Sequence, residues 1–115
     1  MIRTEFGIIP QIDPEADYSH YEPEKYDCVA IDDDIYINDW WDELRLMETY
    51  FESLSRPEKG LSRWGVTIIP PKSLPQLEKI VTGDKRITSD ENLAALADKI
   101  KAAVSENKYM IHYGV

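Results

Sequence analysis

The 115-residue sequence contains one cysteine and no hydrophobic run long enough for a signal peptide or a membrane span. A single cysteine excludes an internal disulfide and a zinc site built from several cysteines. These absences predict a cytoplasmic protein. Cys28 follows Asp27 directly, and a neighbouring carboxylate disfavours the thiolate, so Cys28 is predicted to be a small core residue rather than a nucleophile.

Cations are scarce in the first half of the chain. Residues 1–58 carry four Lys and Arg against sixteen Asp and Glu, whereas residues 59–115 carry nine against six, and the whole chain has a formal net charge of -9. An acidic surface repels phosphate backbones and anionic lipid, so neither nucleic acid nor a membrane surface is an expected partner. A basic protein is the expected partner, because its charge is complementary.

The sequence also lacks the spacings that mark cofactor sites. The five glycines form no phosphate-binding cluster, and neither His20 nor His112 belongs to a metal-ligand or nucleophile motif. No cofactor is therefore predicted. A small enzyme that combines one of these histidines with a carboxylate stays open as an alternative, because general acid-base catalysis needs only proximity in three dimensions.

The run of Asp32, Asp33 and Asp34 could offer hard oxygen ligands to Mg²⁺ or Ca²⁺. Successive residues of an extended chain point to opposite sides, so at most Asp32 and Asp34 could share one ion. No EF-hand or phosphatase-like spacing surrounds the run. It is therefore interpreted as the solvated tip of a hairpin between two strands, with one continuous bent strand as the alternative.

Composition and patterning predict a single α+β domain over residues 1–115. Hydrophobic residues make up 43% of the chain and charged residues 30%, which is typical of a globular domain. Two strand-helix-strand passages favour a small mixed sheet of about four to five strands, with two to three helices packed mainly on one face. The strands are predicted at 5–9, 26–31, 35–37, 64–69 and 109–113.

Three helices are predicted from apolar periodicity and capping residues. The first runs from Asn38 or Asp39 to about Ser55, because apolar residues recur there at steps of four and three. The second begins after Ser73, and the third begins at a capping box formed by Thr88 and Glu91. Residues 11–24 are predicted to be a long exposed segment. The second face of the sheet is covered by that segment, left polar, or used for contact with another chain.

The most unusual feature is the segment 13–34, which contains nine carboxylates and one lysine interleaved with tyrosines. Tyrosine adds apolar contact area and a hydroxyl, which suits an interface with Lys and Arg. We expect these groups to converge in one continuous acidic patch that binds a partner. The predicted partner-binding residues are Asp17, Tyr18, Tyr21, Glu22, Tyr26, Asp32, Asp33, Asp34 and Trp41.

The run Asp17-Tyr18-Ser19-His20-Tyr21-Glu22, in an acidic chain with one cysteine, resembles the small bacterial immunity proteins that neutralise nuclease or other basic toxins. The resemblance covers composition and roughly residues 13–43. It implies a non-catalytic binding or inhibitor protein. A self-associating accessory domain is the other alternative, in which the acidic face of one copy meets Lys99, Lys101 and Lys108 of another.

Overall fold

Six strands form one sheet in the computed structural model, which describes residues 2–114. The strand order is β2-β1-β6-β5-β3-β4, and every pairing is antiparallel. The predicted α+β class is confirmed, although the sheet is antiparallel rather than mixed and has one strand more than expected. The strands are β1 (Arg3–Ile9), β2 (Val29–Asp32), β3 (Glu48–Phe51), β4 (Pro57–Lys59), β5 (Val66–Ile69) and β6 (Tyr109–Tyr113).

Three α-helices accompany the sheet: α1 (Asn38–Leu44), α2 (Leu74–Thr82) and α3 (Glu91–Glu106). Two helices, not one, connect β5 to β6, so the chain re-enters the sheet at the end where it left and β6 runs antiparallel to β5. The side chain of Asp90 caps α3 by accepting the N–H groups of Asn92 and Leu93, whereas the predicted cap Thr88 lies in the preceding 3-10 turn. Within residues 2–114 no helix is long and apolar enough to cross a membrane.

The predicted helix from residue 38 to residue 55 is wrong in its second half. The helix ends at Leu44, and β3 begins at Glu48. Leu44 and Met47 lie in the core beneath the helices, whereas Leu54 packs on the other side of the sheet. The β-branched and aromatic residues of β3 favour an extended chain, and pairing with β4 and β5 supplies the hydrogen bonds that a longer helix would have made.

The predicted hairpin tip at residues 32–34 and the strand at 35–37 are also wrong. β2 ends at Asp32, whose carboxylate accepts the backbone N–H of Ile35 at 3.1 Å. A single π-helical turn, Asp33–Ile37, follows and leads directly into α1. Burial of Tyr36 and Ile37 against the helices favours this turn over an exposed strand.

The N-terminal segment between β1 and β2 covers the second face of the sheet. Tyr18 and Tyr26 from this segment are buried there against one residue of β1, two of β5 and two of β6, namely Ile9, Val66, Ile68, Ile111 and Tyr113. Gly7 allows the close approach, since a Cβ at that position would lie 2.6 Å from the carbonyl oxygen of Tyr26. The second face of the sheet is therefore covered by the segment between β1 and β2, which is one of the three arrangements expected from the sequence.

His112 lies on the opposite, helix-facing side of β6 and is 1% exposed. The Thr4 hydroxyl donates to the carbonyl of Tyr113 at 3.1 Å and so accepts the Nε2–H of His112. The Thr67 hydroxyl lies 3.4 Å from the other ring nitrogen. Burial lowers the pKa of His112 to about 3, so the imidazole is neutral in the folded protein.

The buried His112 predicts that acid destabilises the protein well above the range in which carboxylates titrate. The imidazole of His112 binds a proton near pH 6.5 in the unfolded chain but only near pH 3 in the folded chain. Burial of His112 therefore costs no stability above pH 6.5, and the free energy of unfolding falls as the pH drops below 6.5. The loss approaches about 1.4 kcal/mol per pH unit. Urea unfolding between pH 7 and pH 5 measures it, and His112→Gln should remove most of the slope. An equal slope in both proteins would contradict this assignment.

Candidate functional site

A tight loop between β4 and β5 lies at the end of the sheet where β1 and β5 begin and where β2 and β6 end. The backbone N–H of Gly65 donates to the carbonyl of Ser62 at 3.2 Å, and the N–H of Gly114 donates to the carbonyl of Gly65 at 2.8 Å. The Thr67 hydroxyl accepts the N–H of Ser62 at 2.8 Å. These bonds fix the backbone of the loop to both neighbouring strands.

A buried ion pair fixes the same loop to the end of β2. Arg63 Nε and Nη2 donate to Asp33 Oδ2 at 3.1 and 2.9 Å. The side chain of Asp33 is 3% exposed and that of Arg63 is 18% exposed. The Trp41 ring centroid lies 5.6 Å from the guanidinium carbon of Arg63, which covers the pair from one side. In the described part of the chain, the second oxygen, Asp33 Oδ1, is buried without a hydrogen-bond partner.

The end of β6 packs directly on this loop. A Cβ at Gly114 would lie 2.1 Å from the carbonyl oxygen of Arg63, so only glycine allows the two backbones to approach this closely. The loop is therefore constrained by backbone hydrogen bonds, by an ion pair and by direct backbone contact.

This constrained loop carries Trp64, whose surface is 78% exposed. Beside it lies Tyr21, which is 64% exposed and whose hydroxyl donates to the carboxylate of Glu5. The rings of Tyr21 and Tyr113 meet edge to face with their centroids 5.0 Å apart. Two aromatic side chains are thus exposed in defined positions: Trp64 on the constrained loop, and Tyr21 through its contacts with Glu5 and Tyr113.

The exposed apolar side chains of residues 2–114 concentrate at this end of the sheet. Ile2 accepts the backbone N–H of Asp33, and Ile35 lies in the turn that Asp33 begins. Trp64 follows Arg63, the partner of Asp33. Of the five large exposed hydrophobic side chains, only Leu46 lies elsewhere, between α1 and β3; the other four are Ile2, Tyr21, Ile35 and Trp64.

Several carboxylates lie at the same end of the sheet. Glu5 and Asp32 lie diagonally across neighbouring strands on the same side of the sheet, and Glu22 follows Tyr21. Two cations lie nearby: Arg3 faces Asp32 in the strand register, and Lys25 lies 3.9 Å from Glu22. We call the exposed side chains at this end of the sheet the Trp64 surface; its apolar members are Ile2, Tyr21, Ile35 and Trp64, and its carboxylates are Glu5, Glu22, Asp32 and Asp34.

The structure brings together only some of the predicted partner-binding residues. Tyr21, Glu22, Asp32 and Asp34 lie on the Trp64 surface, and the half-buried Trp41 lies behind it. Tyr18, Tyr26 and Asp33 are buried, so these three side chains cannot contact a partner without unfolding part of the chain. Tyr18 and Tyr26 are buried because their rings provide the apolar area that covers the sheet. Asp33 is buried because its carboxylate pairs with Arg63 away from solvent.

The expected single acidic patch does not form. Asp13, Glu15 and Asp17 belong to the part of the segment that crosses toward β3, where the N–H of Tyr18 donates to the carbonyl of Glu52. β2, which carries Asp32, lies near the opposite edge of the sheet. Three of the nine carboxylates are also paired with cations of the same chain, as Glu22–Lys25, Asp27–Lys99 and Asp33–Arg63.

Sequence reasoning missed Trp64, Ile2 and Ile35. It placed Trp64 at the start of a buried strand, but β5 begins two residues later, at Val66. The local signal was the run Ser62-Arg63-Trp64-Gly65, in which Ser and Gly favour a turn. That signal indicates a loop, but it does not reveal that the indole faces solvent.

The residues proposed for catalysis are poorly placed for it. His112 contacts two threonines in the core, and no carboxylate within residues 2–114 is hydrogen-bonded to it. Cys28 packs half-buried on the second face of the sheet, and burial raises its pKa to about 12. Within residues 2–114 no three side chains of His, Cys, Asp or Glu are arranged to hold a metal ion.

A groove of about 620 Å³ lies between α1 and α2. Its strongest charge, Arg86, donates to both carboxylate oxygens of Asp84 at 2.9 and 2.6 Å and lies 3.0 Å from Asp39. The indole N–H of Trp40 donates to Asp84 at 2.9 Å, and these bonds hold the pKa of Asp84 well below its usual range. Four polar groups of the groove, Asp39, Trp40, Asp84 and Arg86, thus bind one another and join α1 to the turn between α2 and α3.

Comparison with known proteins gives no further indication of function. The chain matches no protein family, no curated protein and no solved structure. Any functional argument therefore depends on the geometry of the chain itself.

The ion pair at the Trp64 surface makes a testable contribution to stability. Arg63→Met leaves the buried Asp33 carboxylate without a counterion and should lower the free energy of unfolding by about 3 kcal/mol or more. The double variant Asp33→Leu/Arg63→Met should recover part of that loss, because no uncompensated charge remains. Urea unfolding measures both effects.

The control is Arg45→Met. Arg45 pairs with Asp42 at 3.6 Å, with both side chains largely exposed, so its removal should change stability by less than about 1 kcal/mol. Equal losses for Arg63→Met and Arg45→Met would contradict the assigned role of the buried pair.

Proposed function

We propose that the chain is a non-catalytic acidic binding protein of the immunity or inhibitor type, which acts in the cytoplasm and neutralises a basic protein partner through the Trp64 surface. The observation that carries the proposal is the exposure of Trp64 on a loop that is fixed on several sides. Tryptophan is among the residues that contribute most to binding energy at protein interfaces.

A constrained loop favours binding for an entropic reason. A side chain that is already positioned loses less conformational freedom when a partner binds, so more of the contact energy appears as affinity. The hydrogen bonds of the loop, the Asp33–Arg63 pair and the contact with Gly114 all reduce that freedom before binding. Trp64 and Tyr21 would form the apolar centre of the interface, and the carboxylates would form its polar rim.

The rim favours a basic partner. The carboxylate of Glu5 accepts the hydroxyl of Tyr21, Glu22 follows Tyr21 in the chain, and the chain as a whole has a formal net charge of -9. Long-range attraction would accelerate association with a cationic protein at low ionic strength, and salt would weaken it. The same charges disfavour nucleic acid and anionic membranes, as expected from composition.

The alternatives have less support. Of the three lysines named for self-association, Lys99 lies 3.4 Å from Asp27 and Lys108 lies 3.3 Å from Glu106 in the same chain, so only Lys101 has no ion pair within residues 2–114. An enzyme using His112 requires access to a side chain that is 1% exposed. Neither alternative accounts for the exposure of Trp64 on the loop that the Asp33–Arg63 pair holds in place.

The proposal is tested by capture from a lysate of the source cell with three immobilised proteins: wild type, Trp64→Ser and Leu46→Ser. Leu46 is the matched control, because it is 61% exposed but lies outside the Trp64 surface. We expect wild type and Leu46→Ser to retain a basic protein that Trp64→Ser loses. With that protein purified, Trp64→Ser should bind at least about tenfold more weakly, and raising the salt concentration should weaken the wild-type complex.

Two results would overturn the proposal. One is that Trp64→Ser and Leu46→Ser retain the same proteins as wild type. The other is that the captured partner is acidic, or that its affinity does not change with salt. A doubling of mass in light scattering that Trp64→Ser abolishes would instead assign the surface to contact between copies of this chain.

A further inference from the structure

A pocket of about 380 Å³ opens between the two exposed rings of the Trp64 surface. Tyr21 and Trp64 line it together with Val66 and Tyr113, and Ser19, Gly65 and Gly114 complete it. Its aromatic residues come from three separate parts of the chain, so the pocket exists only because the fold brings the N-terminal segment, the loop before β5 and the end of β6 together.

The pocket has the chemistry of a cation site. Aromatic rings carry negative charge on their faces and attract ammonium or guanidinium groups. The hydroxyl of Tyr21 donates to the carboxylate of Glu5, which places a negative charge beside that ring. Glu22 lies next to Tyr21 in the chain, and its N–H donates to the hydroxyl of Tyr113 at 3.2 Å.

Within residues 2–114, no recorded contact between a cation and an aromatic ring involves this pocket. In the described residues, cation-aromatic contacts pair Lys25 with Tyr26, Arg63 with Trp41 and Arg86 with Tyr36. Tyr21 and Trp64 take part in none of them. Their exposed surfaces therefore combine affinity for a cation with access from solvent.

Arginine fits these features better than lysine. Its guanidinium is planar, is more weakly hydrated than an ammonium group, and stacks on aromatic faces while donating several hydrogen bonds to carboxylates. A guanidinium between Tyr21 and Trp64 would place donors near Glu5 or Glu22. An apolar side chain would fill the volume, but it would make no interaction with the Glu5 carboxylate that accepts the Tyr21 hydroxyl.

We infer that this pocket binds one arginine side chain of the basic partner. The inference rests on the proposed function, which supplies the partner, and it names the chemical group that the Trp64 surface recognises. Because the aromatic rings and the carboxylates are already in place in the free chain, the pocket binds a guanidinium without the rest of the partner, although weakly.

The test uses N-acetyl-arginine amide as the probe and the indole N–H signals of the ¹⁵N-labelled protein as the readout. Trp40 and Trp41 provide internal controls, and Trp64→Phe assigns the third signal. We expect the Trp64 signal alone to shift and to saturate, with a Kd on the order of 1–10 mM for a ligand of this size. N-acetyl-norleucine amide, which has a similar length and no charge, should give no saturating shift.

Two variants connect the shift to the proposed geometry. Tyr21→Leu removes one ring, and Glu5→Gln removes the nearest carboxylate, so each should weaken probe binding by about three- to tenfold. Leu46→Ser should leave it unchanged. N-acetyl-lysine amide should bind more weakly than the arginine amide, and equal or tighter binding of the lysine amide would contradict the choice of arginine.

The inference fails if the Trp64 signal does not shift up to about 100 mM probe, or if the norleucine amide shifts it as strongly as the arginine amide. Its failure is distinguishable from that of the proposed function. A basic protein lost by Trp64→Ser without any response to the arginine amide would leave the proposed function standing. A response to the amide without a basic protein partner would remove the proposed function and leave a guanidinium site.

Discussion

The Asp33–Arg63 ion pair is the interaction on which the arrangement of the Trp64 surface depends. It connects residues 30 positions apart and joins the end of β2 to the loop before β5, across the ends of β1 and β6. A buried ion pair adds little net stability, because both charges lose their hydration. Here one carboxylate oxygen of Asp33 is also left without a hydrogen-bond partner within residues 2–114. What the pair supplies is position, since it directs Arg63 inward and leaves its neighbour Trp64 outside.

The need to cover the second face of the sheet explains where the side chains of the acidic segment between β1 and β2 lie. Helices pack on one face of the antiparallel sheet, so the other face must be covered by something else. The 19 residues between β1 and β2 supply that cover, and they do so with Tyr18 and Tyr26. Their rings are therefore core side chains, while the carboxylates between them remain in solvent and are spread across the sheet. Only Tyr21 of the segment's three tyrosines stays at the surface.

Local sequence patterns predicted the helices and strands whose conformation is determined by interactions between residues close in sequence. β1, β6, α2 and α3 lie close to their predicted positions, because alternation, helical periodicity and capping act over a few residues. The α1–β3 boundary was not predictable in this way. Trp40, Leu44 and Met47 satisfy a helical spacing, and only pairing with β5, about 17 residues further on, determines that the chain extends at β3.

The candidate site was less predictable than the fold for the same reason. Tyr21, Glu22, Asp32 and Asp34 were identified from charge and aromatic content, and they do lie on the Trp64 surface. The burial of Asp33 depends on Arg63, and the exposure of Trp64 depends on contacts with Gly114 at the far end of the chain. Neither dependence is visible in the local sequence.

The most direct test of this account is the mobility of the loop that carries Trp64, measured by ¹⁵N relaxation of the free protein. If the ion pair and the strand contacts fix the loop, residues 62–65 have backbone order parameters of about 0.85, equal to those of β5. In Arg63→Met the order parameters of the loop fall toward about 0.6, while those of β5 are unchanged. Order parameters already below about 0.6 in the wild-type loop would contradict the claim that Trp64 is held in position before a partner binds.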